Sequence, residues 1–299
     1  MEYGKLRRRE TDMNRRWRVI DTAPADPFTN MALDEALLRE YSAHSAGPTL
    51  RIYGWEPAAL SLGYSQDARA ELDIERCRRL GPDFVRRLTG GGIIAHGSEL
   101  TYSLVCSRED LGIPERVASS YKIISSFLIE FYRRLGLEAS FACDAAAPGD
   151  RLGGRSALCF AAKEKYDIVV GGRKIGGSAQ KRTREVIFQH GSIPIADPFG
   201  GRSPRFLRLA QTGVSKAATL AELVGTGIGA ADLAGTLVDS FEATFGVIAQ
   251  AGSLSRSEES LAAALAERKY KSDEWNLDRI DPMPVIEEED EAGAALVGQ

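Results

Sequence analysis

A cysteine and a lysine fifteen residues apart are the side chains best suited to covalent chemistry. Cys159 lies in the segment SALCF, and Lys174 begins the segment KIGGSAQ. The thiolate is the nucleophilic form of cysteine, and a neighbouring ammonium group favours it by lowering the pKa of the thiol. Gly171 and Gly172 predict a two-residue turn that would fold both residues onto one wall. A buried core cysteine and a solvated edge lysine are alternatives that the residues alone leave open.

A run of three glycines is the second candidate for chemistry. It lies in the segment RRLTGGGIIAHG, residues 86–97. Glycines can adopt positive φ and let the backbone approach a ligand closely, so N–H groups here could bind an anion or an acyl carbonyl. The spacing matches neither the phosphate-binding P-loop nor the dinucleotide-binding fingerprint. A hinge or tight turn is an equally good interpretation of the triplet by itself.

Small residues and two histidines complete the candidates. Gly177, Ser178 and Ala179 leave room for a ligand beside the strand that carries Lys174. His96 and His190 each precede a glycine, and either could be a base or a ligand, although histidines with a structural role are more common. With three histidines and no HExxH motif, the chain is expected to have no catalytic metal. The absence of a G-x-S-x-G elbow argues against a serine hydrolase.

The elements that must position these residues alternate between strand and helix, which predicts an α/β (α+β) fold with a mixed β-sheet flanked by helices. An amphipathic helix is predicted at residues 30–41, with Asp34 and Glu35 off its apolar face. A second long helix is expected from Pro114 to Leu135. Strands are predicted at 17–21, 50–55, 59–64, 166–170 and 185–195, and the last of these is expected to extend the hairpin at Gly171-Gly172.

Four regions are predicted along the chain. Residues 1–16 form a basic N-terminal extension, residues 17–200 the catalytic domain, residues 201–277 a small helical C-terminal region, and residues 278–299 an acidic disordered tail. The tail holds the run EEEDE, and no lysine or arginine follows residue 280. A charged run of this kind is most simply a solvated segment.

Composition excludes several classes of protein. With 299 residues, 43% apolar and 27% charged, the chain can bury a sizeable core, and disorder, collagen and coiled coil are excluded. No run of about 20 apolar residues is present, and the first thirty residues lack a signal-peptide pattern, so we expect a cytoplasmic protein. Four scattered cysteines do not form a disulfide scaffold. We expect no binding to nucleic acid or to membranes.

Three motifs, taken as a set and in this order, resemble the lipoate-protein ligase and octanoyltransferase family. They are RRLTGGGIIAHG (86–97), SALCF (156–160) and KIGGSAQKRTREVIFQHGSI (174–193). The segments 17–38 and 51–64 are also similar to the opening of that family, so the likeness covers roughly residues 17–277. It implies a biotin/lipoate ligase-like catalytic domain in which an acyl chain ends at the glycines and the lysine.

The cysteine decides which members of the family the chain resembles. SALCF looks like the segment upstream of the lysine in LipM-type octanoyltransferases, whereas the ligases have no such requirement for cysteine. The resemblance implies that Cys159 and Lys174 are catalytic. It also implies a set of substrate-binding residues: Arg87, Thr89, Gly90, Gly91, Gly92, His96, Gly177, Ser178, Ala179 and His190. One departure is Ile93-Ile94, where the family pattern leads us to expect Ala or Val.

By this resemblance the protein would transfer an octanoyl group from acyl carrier protein, through a cysteine thioester, to a lysine of a lipoyl domain such as the glycine cleavage H protein. No cofactor is expected, because exchange between thioesters is nearly isoenergetic and needs no ATP. An ATP-dependent lipoate-protein ligase is the first alternative. A non-catalytic acyl-protein binder, in which Cys159 is a core residue, is the second.

Overall fold

The structure is a computed structural model that describes residues 16–43, 46–113, 117–145, 165–183, 185–201, 203–208, 217–225, 227 and 229–285. In chain order the strands are β1 (Arg16–Asp21), β2 (Thr49–Tyr53), β3 (Ala59–Leu62), β4 (Asp83–Arg86), β5 (Ile94–His96), β6 (Glu99–Cys106), β7 (Ala139–Phe141), β8 (Ile168–Val170), β9 (Arg173–Lys174), β10 (Gly177–Arg182), β11 (Ile187–Pro194) and β12 (Ile248–Ala251). The helices are α1 (Pro27–Ser42), α2 (Ala68–Glu71), α3 (Ile74–Leu80), α4 (Arg108–Leu111), α5 (Val117–Arg134), α6 (Ala142–Ala145), α7 (Leu220–Val224), α8 (Ala230–Phe245), α9 (Arg256–Leu265) and α10 (Asp273–Asn276). Single helical turns of other types lie at Ser203–Phe206 and Ala266–Tyr270.

A six-stranded mixed sheet in the order β10-β11-β6-β2-β1-β12 forms the centre of the fold. β1 runs parallel to β2 and β12, whereas β2, β6, β11 and β10 pair antiparallel in turn. Successive side chains of a strand point to opposite faces. Accordingly, Leu104 of β6 packs in the core that contains Phe127 of α5, and Val105 packs in the core that contains Leu37 of α1. The predicted mixed sheet with flanking helices is confirmed.

Two small sheets carry Lys174 and the glycine run, whereas Gly177–Ala179 and His190 lie on β10 and β11 of the central sheet. The first has the order β4-β3-β5, and the segment that joins β4 to β5, residues 87–93, is called the glycine loop below. The second has the order β7-β8-β9 and carries Lys174 at its edge. Lys174 and the loop that holds the three glycines are therefore positioned by different sheets.

The predicted turn at Gly171-Gly172 is confirmed. Both residues have positive φ, 55° and 74°, as the tight turn between β8 and β9 requires. The expectation that β11 extends this hairpin is wrong, because β11 pairs with β10 and β6 in the central sheet. Gly176, with φ of 90°, lies between β9 and β10 and redirects the chain from the small sheet to the large one.

Helix α1 is longer than the predicted helix at residues 30–41, since Asp26 caps it and Pro27 begins it. The Asp26 carboxylate accepts hydrogen bonds from the backbone N–H groups of Phe28 and Thr29. The expectation that Asp34 and Glu35 lie off the buried face is wrong. They are only 2% and 3% exposed, because polar partners on other elements meet them inside the protein.

The C-terminal part of the chain packs closely on the rest. β12 pairs with β1 in the central sheet, and α9 packs on α1. The division at residue 200 and the extent of the acidic tail stay predictions, and residues 1–15 and 286–299 lie outside the described part. Among the described helices, none is both long enough and apolar enough to span a bilayer.

Candidate active site

The glycine loop is held in place from two sides. Buried Arg87 donates hydrogen bonds through Nη2 to the carbonyl oxygens of Gly90 (3.0 Å) and Gly92 (2.9 Å). On another side, Gly63 lies so close that an added Cβ would be 1.9 Å from the carbonyl oxygen of Gly91. Gly91 itself has φ of 97°, which favours glycine. The hydrogen bonds from Arg87 and the close packing of Gly63 therefore hold the loop backbone in one conformation.

The two hydrogen bonds from Arg87, called the Arg87 clamp below, also determine where the backbone N–H groups of the glycine loop point. In a planar trans peptide, the N–H of one residue points away from the carbonyl of the residue before it. The carbonyls of Gly90 and Gly92 face the Arg87 guanidinium, so the N–H groups of Gly91 and Ile93 face away from it. Two backbone donors are thus directed to the side opposite the arginine.

A narrow cavity adjoins the loop and brings several candidate residues together. Its wall includes the aromatic side chains of Tyr53 and Trp55. Of the residues expected to bind substrate, those that line the cavity are Arg87, His96, Gly177, Ser178, Ala179 and His190. Strands β5, β10 and β11 therefore all contribute residues to the wall of one compartment.

His190 is hydrogen-bonded at both ring nitrogens. Nδ1 lies 3.2 Å from a carboxylate oxygen of Asp34, and Nε2 lies 2.6 Å from the hydroxyl of Thr89. Burial lowers the pKa of His190, and the opposing effect of Asp34 is smaller. The hydrogen bond from His190 and the charge of Arg51 outweigh burial at Asp34 and lower the pKa of its carboxyl. We therefore assign a neutral imidazole that donates through Nδ1–H to an ionised aspartate.

His96 forms a second chain of the same kind. Its Nδ1 bonds to the Glu99 carboxylate, and its Nε2 lies 2.6 Å from the hydroxyl of Ser61. Arg87 donates to that same hydroxyl at 2.7 Å. The ring also stacks on Trp55, with centroids 3.8 Å apart. Because protein groups occupy both nitrogens of each histidine, the two rings act here as supports of the cavity wall.

Lys174 is buried and forms an ion pair. The residue is 4% exposed, and Nζ lies 2.7 Å from a carboxylate oxygen of Asp167, itself 6% exposed. Its backbone carbonyl accepts a hydrogen bond from the N–H of Ala218. The interpretation of Lys174 as a solvated edge charge is therefore wrong. The ammonium group is held inside the protein, and Lys174 is not among the residues that line the cavity.

Two of the three described cysteines are core residues, and the third, Cys143, is partly buried. Cys77 and Cys106 are 3% and 0% exposed. Burial raises the pKa of Cys77 to about 11 and that of Cys106 well above the ordinary value. Burial and Asp144 also raise the pKa of Cys143. Cys159 lies outside the described residues.

Several residues of the site were not found from the sequence. Asp34 was placed on the polar side of an amphipathic helix, and Asp167 directly precedes an apolar strand, so neither position gave a clear signal of a buried acid. Ser61 and Glu99 had no distinguishing context. Within the described ranges, no group of histidine, cysteine and acidic side chains is arranged to hold a metal ion.

Comparison with known proteins agrees with this architecture. Residues 26–242 match the family model described as the lipoyl protein ligase A/B catalytic domain. A Geobacillus kaustophilus protein named octanoyltransferase LipM is 39% identical over 273 residues, which cover 88% of this chain and 98% of the relative. The Bacillus subtilis protein of the same name is 38% identical with the same coverage.

Solved structures show the same fold. Lipoate-protein ligase A bound with ATP matches with a TM-score of 0.73 at 24% identity, covering 88% of this chain and 98% of that one. A Thermoplasma acidophilum putative lipoate protein ligase with bound lipoic acid matches with a TM-score of 0.68 at 25% identity and the same coverage. The resemblance drawn from the three sequence motifs is confirmed. The chain belongs to the lipoyl protein ligase A/B catalytic domain family, among its members named octanoyltransferase LipM.

Proposed function

We propose that this protein is an octanoyltransferase that carries the acyl group as a thioester on Cys159. The observation that carries the proposal is the near full-length similarity to proteins named octanoyltransferase LipM, in a chain that has Cys159 in SALCF upstream of a buried lysine. The donor is an acyl-carrying protein and the acceptor a lipoyl-domain protein. We propose octanoyl-acyl carrier protein and the glycine cleavage H protein for these roles, in the cytoplasm.

Two acyl transfers account for the reaction. In the first, the Cys159 thiolate attacks the donor thioester, the new thioester forms, and the thiol of the donor leaves with a proton. In the second, the neutral amine of the acceptor lysine attacks that thioester, the nitrogen loses one proton as the amide forms, and Cys159 leaves as the thiolate. This proton balances the one that the donor thiol took up in the first transfer. One thioester is spent for one amide, so the reaction needs no ATP. The donor can depart before the acceptor binds.

The glycine loop is suited to stabilise the oxyanion that forms in each transfer. The N–H groups of Gly91 and Ile93 point away from the Arg87 clamp, and such backbone donors are typically worth about 3 kcal/mol each. Rigid donors serve this purpose best because they need no reorganisation during the reaction. In this proposal Arg87 orients the loop, and the N–H groups of the loop bind the oxyanion of the substrate.

Lys174 supplies a positive charge to the same reaction. Its burial keeps the charge out of water. Charge–charge interactions are stronger in the interior of a protein than in water. Asp167 holds the ammonium group in a defined position at 2.7 Å. We propose that this charge favours the Cys159 thiolate or the oxyanion, and that Asp167 limits how far the lysine can move.

The proposal is tested by intact mass spectrometry. The wild-type protein is incubated with octanoyl-acyl carrier protein without ATP, and we expect it to gain the mass of one octanoyl group. Addition of apo H protein should then move that mass to the acceptor. Cys159→Ala should gain nothing, because the nucleophile is absent. Cys143→Ala is the matched control and should behave as wild type.

Three outcomes would contradict the proposal. An equal adduct on Cys159→Ala would place the acyl group elsewhere. Modification of the acceptor only with free lipoate or octanoate plus MgATP, and independent of Cys159, would identify an ATP-dependent ligase. Tight binding of the acceptor with no transfer from either donor would identify a non-catalytic binder.

A further inference from the structure

Asp34 is a buried hub that joins four elements. Its carboxylate accepts hydrogen bonds from Arg51 and Tyr53 of β2, Ser103 of β6 and His190 of β11, at 2.8, 2.9, 2.7 and 3.2 Å. The residue itself belongs to α1. A carboxylate with only 2% exposure is tolerated because these donors satisfy it. Its position is therefore fixed by the central sheet.

The chain of hydrogen bonds continues from Asp34 to the glycine loop. Because ionised Asp34 accepts from Nδ1–H of His190, the neutral ring keeps a lone pair on Nε2. That nitrogen lies 2.6 Å from Thr89 Oγ1 and must accept its proton. The tautomer of His190 thus makes the Thr89 hydroxyl a hydrogen-bond donor.

Thr89 directly precedes the three glycines, and both of its polar ends are held. Its side chain is bonded to His190, and its carbonyl accepts from the N–H of Tyr64 at 2.7 Å. The side chain is buried, at 1% exposure. The orientation of the peptide group that leads into Gly90 therefore depends on His190, and through it on Asp34.

We propose that Asp34 is a positioning residue for acyl transfer, which acts through His190 and Thr89 to orient the amide groups of the glycine loop. This role rests on the proposed transferase function. It assigns no direct contact with substrate to Asp34. The second chain, from Glu99 through His96 to Ser61, supports Arg87 on another side of the loop.

The first test compares two substitutions at position 89. Thr89→Val keeps the shape of the side chain and removes the hydroxyl, whereas Thr89→Ser keeps the hydroxyl. We expect Thr89→Val to lower kcat about 100-fold with KM for the octanoyl carrier unchanged, because a small misplacement of catalytic groups has effects of that size. Thr89→Ser should restore most of the rate.

Thr49→Val is the matched control. Thr49 is also a buried threonine, at 2% exposure, and its hydroxyl bonds to Arg18 and to the carbonyl oxygen of Gly47. We expect this variant to lose thermal stability and to keep its kcat. Equal losses of kcat in Thr49→Val and Thr89→Val would reduce the effect to general destabilisation and overturn the proposal.

A second readout does not require transferase activity. Hydrogen–deuterium exchange at amides 90–92 should be about tenfold faster in Thr89→Val than in wild type and Thr89→Ser, because the loop opens more often. Asp34→Asn should have the same effect. Its amide can donate to Nδ1 of His190, which moves the ring proton to Nε2 and removes the acceptor for Thr89. This second variant serves if Thr89→Val does not fold.

The pH dependence separates positioning from a purely structural role. Protonation of His190 at Nε2 removes the acceptor for Thr89, so the transfer rate of wild type should fall at acid pH more steeply than that of Thr89→Val. Among the described residues, the other ionisable groups that interact with His190 or Asp34 are Arg87, His96, Arg51, Tyr53 and Tyr270.

Loop exchange and the transfer rate, taken together, distinguish the positioning role from the transferase function. Unchanged loop exchange and unchanged kcat in Thr89→Val would overturn the positioning role. If loop exchange is faster in Thr89→Val but the wild-type protein forms no octanoyl thioester, the positioning of the loop is supported and the transferase function is contradicted. Faster exchange together with slower thioester formation supports both.

Discussion

Buried acids with polar partners are the main feature of this protein at the scale of single residues. Asp34 holds His190, Glu35 accepts from Tyr270 and Lys269, and Asp167 pairs with Lys174. Breaking such a pair is costly, because the remaining charge stays buried. These buried pairs therefore hold the neighbouring helices and strands in one arrangement around the site.

The Asp34–His190 pair should make stability depend on pH. Burial lowers the folded-state pKa of His190 below the ordinary 6.5, so the unfolded chain binds this proton first as pH falls. The stabilisation is complete above about pH 6.5 and is lost between that pH and the lower folded-state pKa, by about 1.4 kcal/mol per unit of the difference. Urea unfolding at pH 7, 6 and 5 measures this loss.

His190→Gln removes the titrating group and serves as the comparison for that experiment. We expect the free energy of unfolding of the variant to change less over the same pH range. The lowered pKa of Asp34 places its own contribution below about pH 3.8, outside this window. Equal slopes for the two proteins would contradict the assignment of a neutral, buried His190.

At the scale of elements, the site depends on close approach between backbones that belong to neighbouring strands. Gly63 follows β3 and lies against the glycine loop after β4. Gly176 separates β9 from β10, so that Lys174 and the cavity wall at Gly177–Ala179 belong to different sheets. Glycine at these two positions is a requirement of packing and of chain direction.

We predict that Gly63→Ala slows acyl transfer strongly. The new Cβ would lie 1.9 Å from the carbonyl oxygen of Gly91, so the loop must move. Gly47→Ala is the matched control, because nothing lies within 4 Å of a Cβ added there. The rate of thioester formation and the melting temperature of both variants are to be compared. Equal rates in Gly63→Ala and wild type would show that the loop can shift without effect.

The sequence predicted local features of these elements better than their pairing. The turn at Gly171-Gly172 and the strand that contains His190 follow from glycine content and from strand-forming residues, and both are confirmed. The separation of β11 from the hairpin could not be predicted, because it depends on pairing with β6, about ninety residues earlier. The burial of Asp34 was missed for the same reason, since its partners are distant in sequence.

At the scale of the whole molecule, the C-terminal segment completes the support of the glycine loop. Arg86, which directly precedes the loop, donates to the backbone carbonyls of Trp275 and Asn276. The side chain of Asn276 in turn accepts from the N–H of Arg86. The composition of residues 201–277 predicted helices but gave no indication of these contacts, because arginine recognition by backbone carbonyls leaves no pattern in the sequence.

We predict that Asn276→Ala destabilises the protein by about 1–3 kcal/mol, since the buried N–H of Arg86 loses its acceptor. Transfer should also slow, because Arg86 is continuous with the loop. Glu274→Ala, an exposed neighbour on α10, is the control and should change neither quantity. Urea unfolding and the rate of thioester formation measure the two effects. Wild-type values for Asn276→Ala would mean that the C-terminal segment folds independently of the loop.

The stacking of Trp55 on His96 gives the protein an intrinsic optical reporter. The indole forms part of the cavity wall, and its Nε1 donates to Thr101. The emission of an indole responds to the polarity around it and to quenching by an adjacent imidazole. An alkyl chain bound beside Trp55 would change both, so the tryptophan fluorescence of the protein, which has two further tryptophans, can test in real time whether the acyl chain enters this cavity.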